Sequence, residues 1–374
     1  MTAGSIEAER REKFLHHVQY FDVSGRYPAP YIGFVGRPHC RFQIHSIPYD
    51  GAGFLNPETT GPRVDRDEIR VFVVGDSTMA MGADLQSTVP KRIERALRST
   101  CSGKVNVYNF SVVSSNTEQM CSLIWSRIFD LDPDLIIVVS GGTDAFQPYT
   151  FDPRPGFPYN FFISEFLYAH YFDKNNEKSW RVGLDYDSLV ADAFDFRTRL
   201  RHAVDYGSDD WEERVALSYK GSLIKIIRAA QAVQIPFFYF LEPIVVRKKD
   251  VDTSGSRFAS PEALAYLARQ YDRFEASLVE LNSVRIPKNL HFIDASRSLD
   301  EHGKGEFYDI LHYDCVGTAT VAQFFVDHLV DDVQKISRRR SRRSIRERMR
   351  KTVDHLRPRD FSALRAARHS LRWR

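Results

Sequence analysis

The chain has 374 residues, 43% hydrophobic and 27% charged, enough apolar material to bury a sizeable core and too much for an intrinsically disordered chain. No apolar run approaches the roughly 20 residues of a membrane-spanning helix, and the segment from Met1 to Phe21 is polar and rich in Glu and Arg where a secretory signal would carry an apolar centre. The formal net charge of +3 conceals two unlike parts: residues 335–374 hold 16 Lys+Arg against 3 Asp+Glu, a net of +13, and residues 1–334 carry a net of −10.

Residues 1–68 read as an extension packing on the core, with a polar helix candidate over Ile6–Val18, a Pro-rich stretch at Tyr27-Pro28-Ala29-Pro30-Tyr31, and an irregular or β-rich run from Phe42 to Leu55. From Ile69 the periodicity alternates between strand and helix. Strands are expected at Val71–Val74, Val105–Phe110, Leu135–Val139, Pro236–Leu241 and His291–Asp294. Helices are expected around Val89–Leu97, Glu118–Phe129, Trp211–Ala232, Pro261–Leu281 and Val316–Val330. This alternation implies an α/β domain over residues 69–334, with a parallel sheet covered by helices on both faces. Residues 145–207 interrupt it, opening with the aromatic- and proline-rich run Phe151 to Phe162. So long a connection reads as a lid or pocket wall, or as a structural insertion packing on the rim. Residues 335–374 form a basic tail in which Ile345, Met349, Val353 and Leu356 recur at helical spacing, a pattern suited to an anionic membrane surface or another polyanion, or to a solvated tail.

The chemistry concentrates at two places. Arg70 to Val74 runs as a hydrophobic strand straight into Gly75-Asp76-Ser77, so Ser77 is delivered to the carboxyl edge of the sheet, where α/β sheets bind ligands. A serine hydroxyl needs a base to act as a nucleophile. Asp309-Ile310-Leu311-His312, just ahead of the last helix, offers His312 as that base and Asp309 as the carboxylate that orients it. Asp76 reads as a helix cap, Asp144 as a turn-stabilising carboxylate, and Glu242 and Arg247 as ordinary surface, with pocket lining as the alternative. Metal-binding spacings, a phosphate loop and a dinucleotide fingerprint are all missing from the sequence, so no cofactor and no metal is expected. The four cysteines have no C-x-x-C spacing and read as free thiols of a reducing compartment, Cys315 as a buried one.

With these residues in hand, the chain resembles the SGNH (GDSL-type) hydrolases over roughly residues 68–330. Gly75-Asp76-Ser77 and Asp309-Ile310-Leu311-His312 match the first and last sequence blocks of that family. Ser140-Gly141-Gly142-Thr143-Asp144 matches the third with Thr143 in place of asparagine, and the segment Val105 to Ser114 occupies the second with Ser111 in place of glycine. The resemblance implies a three-layer, flavodoxin-like α/β/α fold and a Ser77–His312–Asp309 triad. It also implies an oxyanion hole drawn from the backbone N–H groups of Ser77 and Ser111 and from the Gly142–Thr143 segment, where the Thr143 hydroxyl replaces an amide.

The function so implied is hydrolysis of an acyl or acetyl ester of a glycan, lipid or small molecule through an acyl-enzyme, without a cofactor. The rings of residues 151–162 favour a glycan. An acyltransferase on the same fold, and a degenerate binding protein tethered by its basic tail, are the rival readings; Thr143 keeps the second alive. No specific nucleic-acid motif accompanies the basic charge. A cytoplasmic location is expected, with peripheral attachment to a membrane through the tail as one option.

Overall fold

In the computed structural model, the described residues are 26–41, 47–101, 103–172, 186–249, 259–284, 286–300 and 307–356. The helix expected over Ile6–Val18, part of the run from Phe42 and the end of the basic tail lie outside them. A short antiparallel hairpin of β1 (Arg26–Ala29) and β2 (Gly33–Gly36) precedes the core. The core then follows in chain order as β3 (Glu68–Val74), α1 (Ser77–Ala80), α2 (Val89–Thr100), β4 (Lys104–Asn109), α3 (Thr117–Leu123), β5 (Leu135–Ser140), α4 (Gly142–Thr150), α5 (Phe161–Phe172), α6 (Tyr186–Ala203), α7 (Asp209–Ala232), β6 (Phe237–Leu241), α8 (Pro261–Ser283), β7 (Leu290–Asp294) and α9 (Cys315–Leu356).

The five core strands are all parallel, in the order β4-β3-β5-β6-β7. Counted from the first core strand this is 2-1-3-4-5, the flavodoxin-like order, whose direction reverses between β3 and β5. The central strands β5 and β6 read as apolar runs because both faces are covered, and every residue of each is buried; the edge strands β4 and β7 keep exposed residues such as Lys104 and His291. Side chains alternate between two cores. Phe72, Val74, Ile136, Val138, Tyr239 and Leu241 face α3, α7 and α8. Val71, Val73, Ile137, Val139, Phe238 and Phe240 face α2 and α9. The expected α/β architecture with helices on both faces is what the chain adopts.

The described residues of the segment from 145 to 207 are largely helical. The segment starts inside α4, and its described contacts run to α3, α7, α8 and the hairpin. Trp211 Nε1 donates to the Pro153 carbonyl at 2.7 Å, Asn116 Nδ2 to the Gly156 and Phe157 carbonyls at 3.1 and 3.0 Å, and the Arg26 guanidinium lies 3.9 Å from the Tyr159 ring centroid. Its aromatic rings pack largely on one another. Phe162 is fully buried, Phe151 meets Phe146 and Tyr159 edge-on, and Arg154 covers a face of Phe157.

Three expectations fail here. The last helix does not stop near Val330; α9 continues through Leu356. Nothing in the sequence breaks it before Pro358, and Arg340, ten residues past the expected end, is bonded to the Asp134 carboxylate and donates to the Arg66 carbonyl at 2.7 Å. Cys315 is exposed, because it opens α9 on the solvent side, while Cys101 and Cys121 are the buried thiols. Arg247 is buried instead of lying on the surface, bonded at 2.8 Å to both Asp272 and Glu275.

Phe240 stacks on Phe325 of α9 with centroids 4.1 Å apart and is fully buried, so it joins the sheet to its longest helix. Phe240→Ala should lower the free energy of unfolding by about 3–5 kcal/mol, read from denaturant unfolding curves. A loss below about 1 kcal/mol would mean that α9 is not held through this contact.

Candidate active site

β3 ends at Val74, and the chain turns through Gly75 and Asp76 into the four-residue helix α1. Asp76 is its N-cap, accepting from Thr78 N at 2.8 Å. Ser77 is the first residue of that helix, so its backbone N–H is one of those left without an intrahelical acceptor. The opposing loop delivers the other two residues. His312 Nε2 lies 2.8 Å from Ser77 Oγ, and His312 Nδ1 lies 2.6 Å from Asp309 Oδ2. The second oxygen of Asp309 accepts from the backbone N–H groups of Leu311 at 2.8 Å and His312 at 2.7 Å. The carboxylate is thereby fixed, Nδ1 carries the hydrogen, and Nε2 is left as the acceptor for the serine hydroxyl.

Burial raises the pKa of Asp309, but hydrogen bonding and charge from His312 outweigh it and hold the carboxyl below its ordinary range. Tyr308, which the sequence reading passed over, stacks on the imidazole at 5.5 Å and 12° and donates to Met81 Sδ at 3.3 Å. It adjoins Asp309 in sequence, which was the one available sign of its place. Burial, then the nearby Asp309 charge, push its phenol pKa up.

The oxyanion side differs from expectation. Ser111 N–H donates to Asn109 Oδ1 at 3.0 Å. Gly142 N–H donates to Glu242 Oε1 at 2.5 Å. The Thr143 hydroxyl donates to Asp76 Oδ2, and a hydroxyl has a single hydrogen to give. Three of the four donors expected there are already engaged, and Ser77 N–H is the fourth. The Ser111 side chain causes no backbone strain, since its φ lies outside the left-handed region, and its hydroxyl is buried without a partner among the described residues. Glycine is required in the neighbouring turn: Gly141 has φ 127°, and a Cβ there would meet Leu241 Cδ1 at 2.5 Å. Residues of the amino-terminal segment brace this edge. Asn56 accepts from Asn109 N at 2.8 Å and donates to Asn109 O at 3.1 Å, so one buried side chain clamps the end of β4.

Two acids lie beneath the turns. Glu242, read from sequence as surface, is fully buried just beyond β6, because the chain end of a strand in a covered sheet is still inside the molecule. Asp144 accepts from Thr117 N at 3.1 Å and Thr117 Oγ1 at 2.6 Å. Its pKa is pushed up to about 6, chiefly by burial, against the Thr117 hydrogen bonds and with a further push from Asp76. The folded chain therefore holds a proton there that the unfolded chain has released, and stability falls as pH rises from 3.8 to about 6. A separate cavity of about 540 Å³, lined by Arg63, Asp132, Asp134, Pro236 and Arg340 among others, lies at the opposite, amino ends of the strands.

No protein-family model and no curated protein matches this sequence. Among solved structures it is similar to an acetylxylan esterase from Geobacillus stearothermophilus, with 11% identity and a TM-score of 0.39 over 69% of this chain and 93% of that one. A family 3 carbohydrate esterase from Clostridium thermocellum is 12% identical with a TM-score of 0.39, over 72% and 99% of the two chains. A putative lipolytic protein of the G-D-S-L family from Desulfitobacterium hafniense is 11% identical with a TM-score of 0.38, over 69% and 98%.

Because the Thr143 hydroxyl serves Asp76, Thr143→Val should act on stability. We expect a loss of about 1–3 kcal/mol in chemical unfolding. The rate at which a serine-directed phosphonate modifies Ser77 should fall less than the roughly 10²–10³ that accompanies removal of an oxyanion donor. A fall of that size in a variant that unfolds like the wild type would place the hydroxyl in the oxyanion hole.

Proposed function

We propose that this chain is a serine hydrolase of the SGNH type that cleaves a carboxylic ester. The observation that carries the reading is the continuous path from Ser77 Oγ through His312 to Asp309, at 2.8 and 2.6 Å, set at the carboxyl edge of a parallel sheet beside the reversal in strand order.

In the proposed reaction the Ser77 oxygen attacks the acyl carbonyl while His312 Nε2 takes the hydroxyl proton. Asp309 stabilises the resulting imidazolium and keeps the ring oriented. His312 then returns the proton to the departing alkoxide, leaving the acyl group on Ser77. A water molecule, deprotonated by the same nitrogen, attacks the acyl carbon; the bond to Ser77 Oγ breaks, His312 returns the proton to that oxygen, and the carboxylic acid leaves. The developing oxyanion falls to the Ser77 N–H. Support from Ser111 or Gly142 requires their present acceptors, Asn109 and Glu242, to give way. This makes the oxyanion side the weaker half of the site and predicts modest turnover relative to the quality of the triad.

The acyl donor is an ester of an alcohol, and small acyl groups suit a buried serine. The rings of residues 151–162 lend less to a glycan than their number suggests, since most pack within the segment itself.

A fluorophosphonate probe tests the reading without knowledge of the substrate. We expect one label per chain, on Ser77 by peptide mass spectrometry. It should be lost in Ser77→Ala and slowed at least about 10³-fold in His312→Ala, in line with loss of a general base from a triad. A folded wild type that takes no label, or takes it equally well without His312, would remove the hydrolase reading and leave the binding-protein alternative.

A further inference from the structure

The buried Glu242 has no role in the reaction just described, yet it touches both turns that build the site. Its Oε1 accepts from Gly142 N at 2.5 Å, and its Oε2 lies 2.6 Å from Thr78 Oγ1. The same Thr78 hydroxyl lies 2.8 Å from Asp76 Oδ1. Thr78 therefore sits between two carboxyl oxygens with one hydrogen to give. Asp76 is well supplied with donors: Oδ1 receives Thr78 N at 2.8 Å, and Oδ2 receives the Thr143 hydroxyl. If both acids were ionised, one of the two contacts at Thr78 would set lone pair against lone pair inside a site closed to water. One proton on Glu242 Oε2 resolves the conflict. Glu242 then donates to Thr78, Thr78 donates to Asp76, and each close contact holds one hydrogen.

We propose that Glu242 is a neutral carboxylic acid in the folded protein and positions the active site, holding the nucleophile turn through Thr78 and the β5–α4 turn through Gly142. It acts through those two residues and not on substrate, so it is a positioning residue. Its effect on reactivity rests on the serine-hydrolase reading; its protonation does not.

The surroundings favour the neutral form. Asp76 faces Glu242 from the turn after β3, Asp144 lies nearby on α4, and the phenols of Tyr239, Tyr271 and Tyr313 close in from β6, α8 and the loop before α9. No Lys or Arg is bonded to Glu242 among the described residues. Burial first, and the Asp76 charge second, push its pKa well above the ordinary glutamate value. A Cβ at Gly142 would meet Glu242 Oε1 at 2.7 Å, so the acid and the turn are fitted closely together.

The sign of the linkage makes this testable. A carboxyl that stays protonated when folded and ionises when unfolded costs stability progressively as pH rises above 4.5, until the folded group itself ionises. Glu242→Gln keeps the geometry, with Nε2 donating to Thr78 and Oε1 accepting from Gly142, and cannot ionise. Thermal unfolding of the full chain between pH 5 and pH 9 should show the Gln variant gaining on the wild type as pH rises; Asp144 is common to both and cancels. A difference that stays flat, or moves the other way, overturns the proposal. Should the Gln variant not fold, the infrared carbonyl band of a protonated carboxyl in the wild type at pH 8, where Asp144 is ionised, decides the same point, and its absence overturns the proposal.

Positioning is read from labelling of Ser77 at pH 8, where Glu242→Gln should react faster than a folded Glu242→Ala. Equal rates would overturn the positioning role. A wild type that takes no label but shows the pH-dependent stability difference would retain the neutral acid and reject the hydrolase reading.

Discussion

Covering both faces of the parallel sheet confines the chemistry of this protein to one edge. Residues such as Val138 and Phe240 are wholly enclosed between helices, so a polar group on the central strands β5 and β6 has no face on which to meet solvent. Side chains that react can emerge only where strands end. The reversal of strand order between β3 and β5 opens a crevice at that edge. Ser77 enters it from β3, Gly142 and Thr143 from β5, and Asp309 and His312 reach it from the loop ahead of α9. The same confinement brings Asp76, Glu242 and Asp144 together under the turns, in a region where charge is expensive and each donor has to be accounted for.

That accounting separates the two halves of the site. The triad half has a bonded partner at every step from Ser77 to the backbone amides behind Asp309. In the oxyanion half the expected donors are turned inward to Asn109, Glu242 and Asp76. At position 143 the local reason is that the threonine hydroxyl reaches the adjacent Asp76. On the proposed reading, such a site activates Ser77 better than it stabilises a tetrahedral intermediate.

Much of the core was legible because its signals are local. The apolar runs of β3 and β5, the helical periods of α7 and α8, and the order of Ser77, Asp309 and His312 along the chain all lie within short windows of sequence. The misreadings are those that depend on long-range partners. Thr143 and Asp76 stand 67 residues apart in sequence, and Thr78 and Glu242 stand 164 apart, so no window shows that these hydroxyls are committed. A glutamate after a strand is usually solvated; only the packing of Tyr271 and Tyr313 around Glu242 makes it a core residue. The helical spacing of Ile345, Met349, Val353 and Leu356 was legible, but the unbroken run of α9 from Cys315 was not, since a run of arginines reads as a separate tail until Asp134 is seen to receive Arg340.

The most direct test of a working triad is to trap the acyl-enzyme. The full chain is mixed with an aryl acetate, quenched in acid within the first turnover, and its peptides are weighed. An acetyl group on the peptide containing Ser77, formed faster than it is released, is the expected result, because an aryl alcohol is a better leaving group than the serine oxygen, so acylation outpaces hydrolysis. Release of the aryl alcohol with no acyl group on Ser77 under any quench time, or at the same rate in Ser77→Ala, would contradict it.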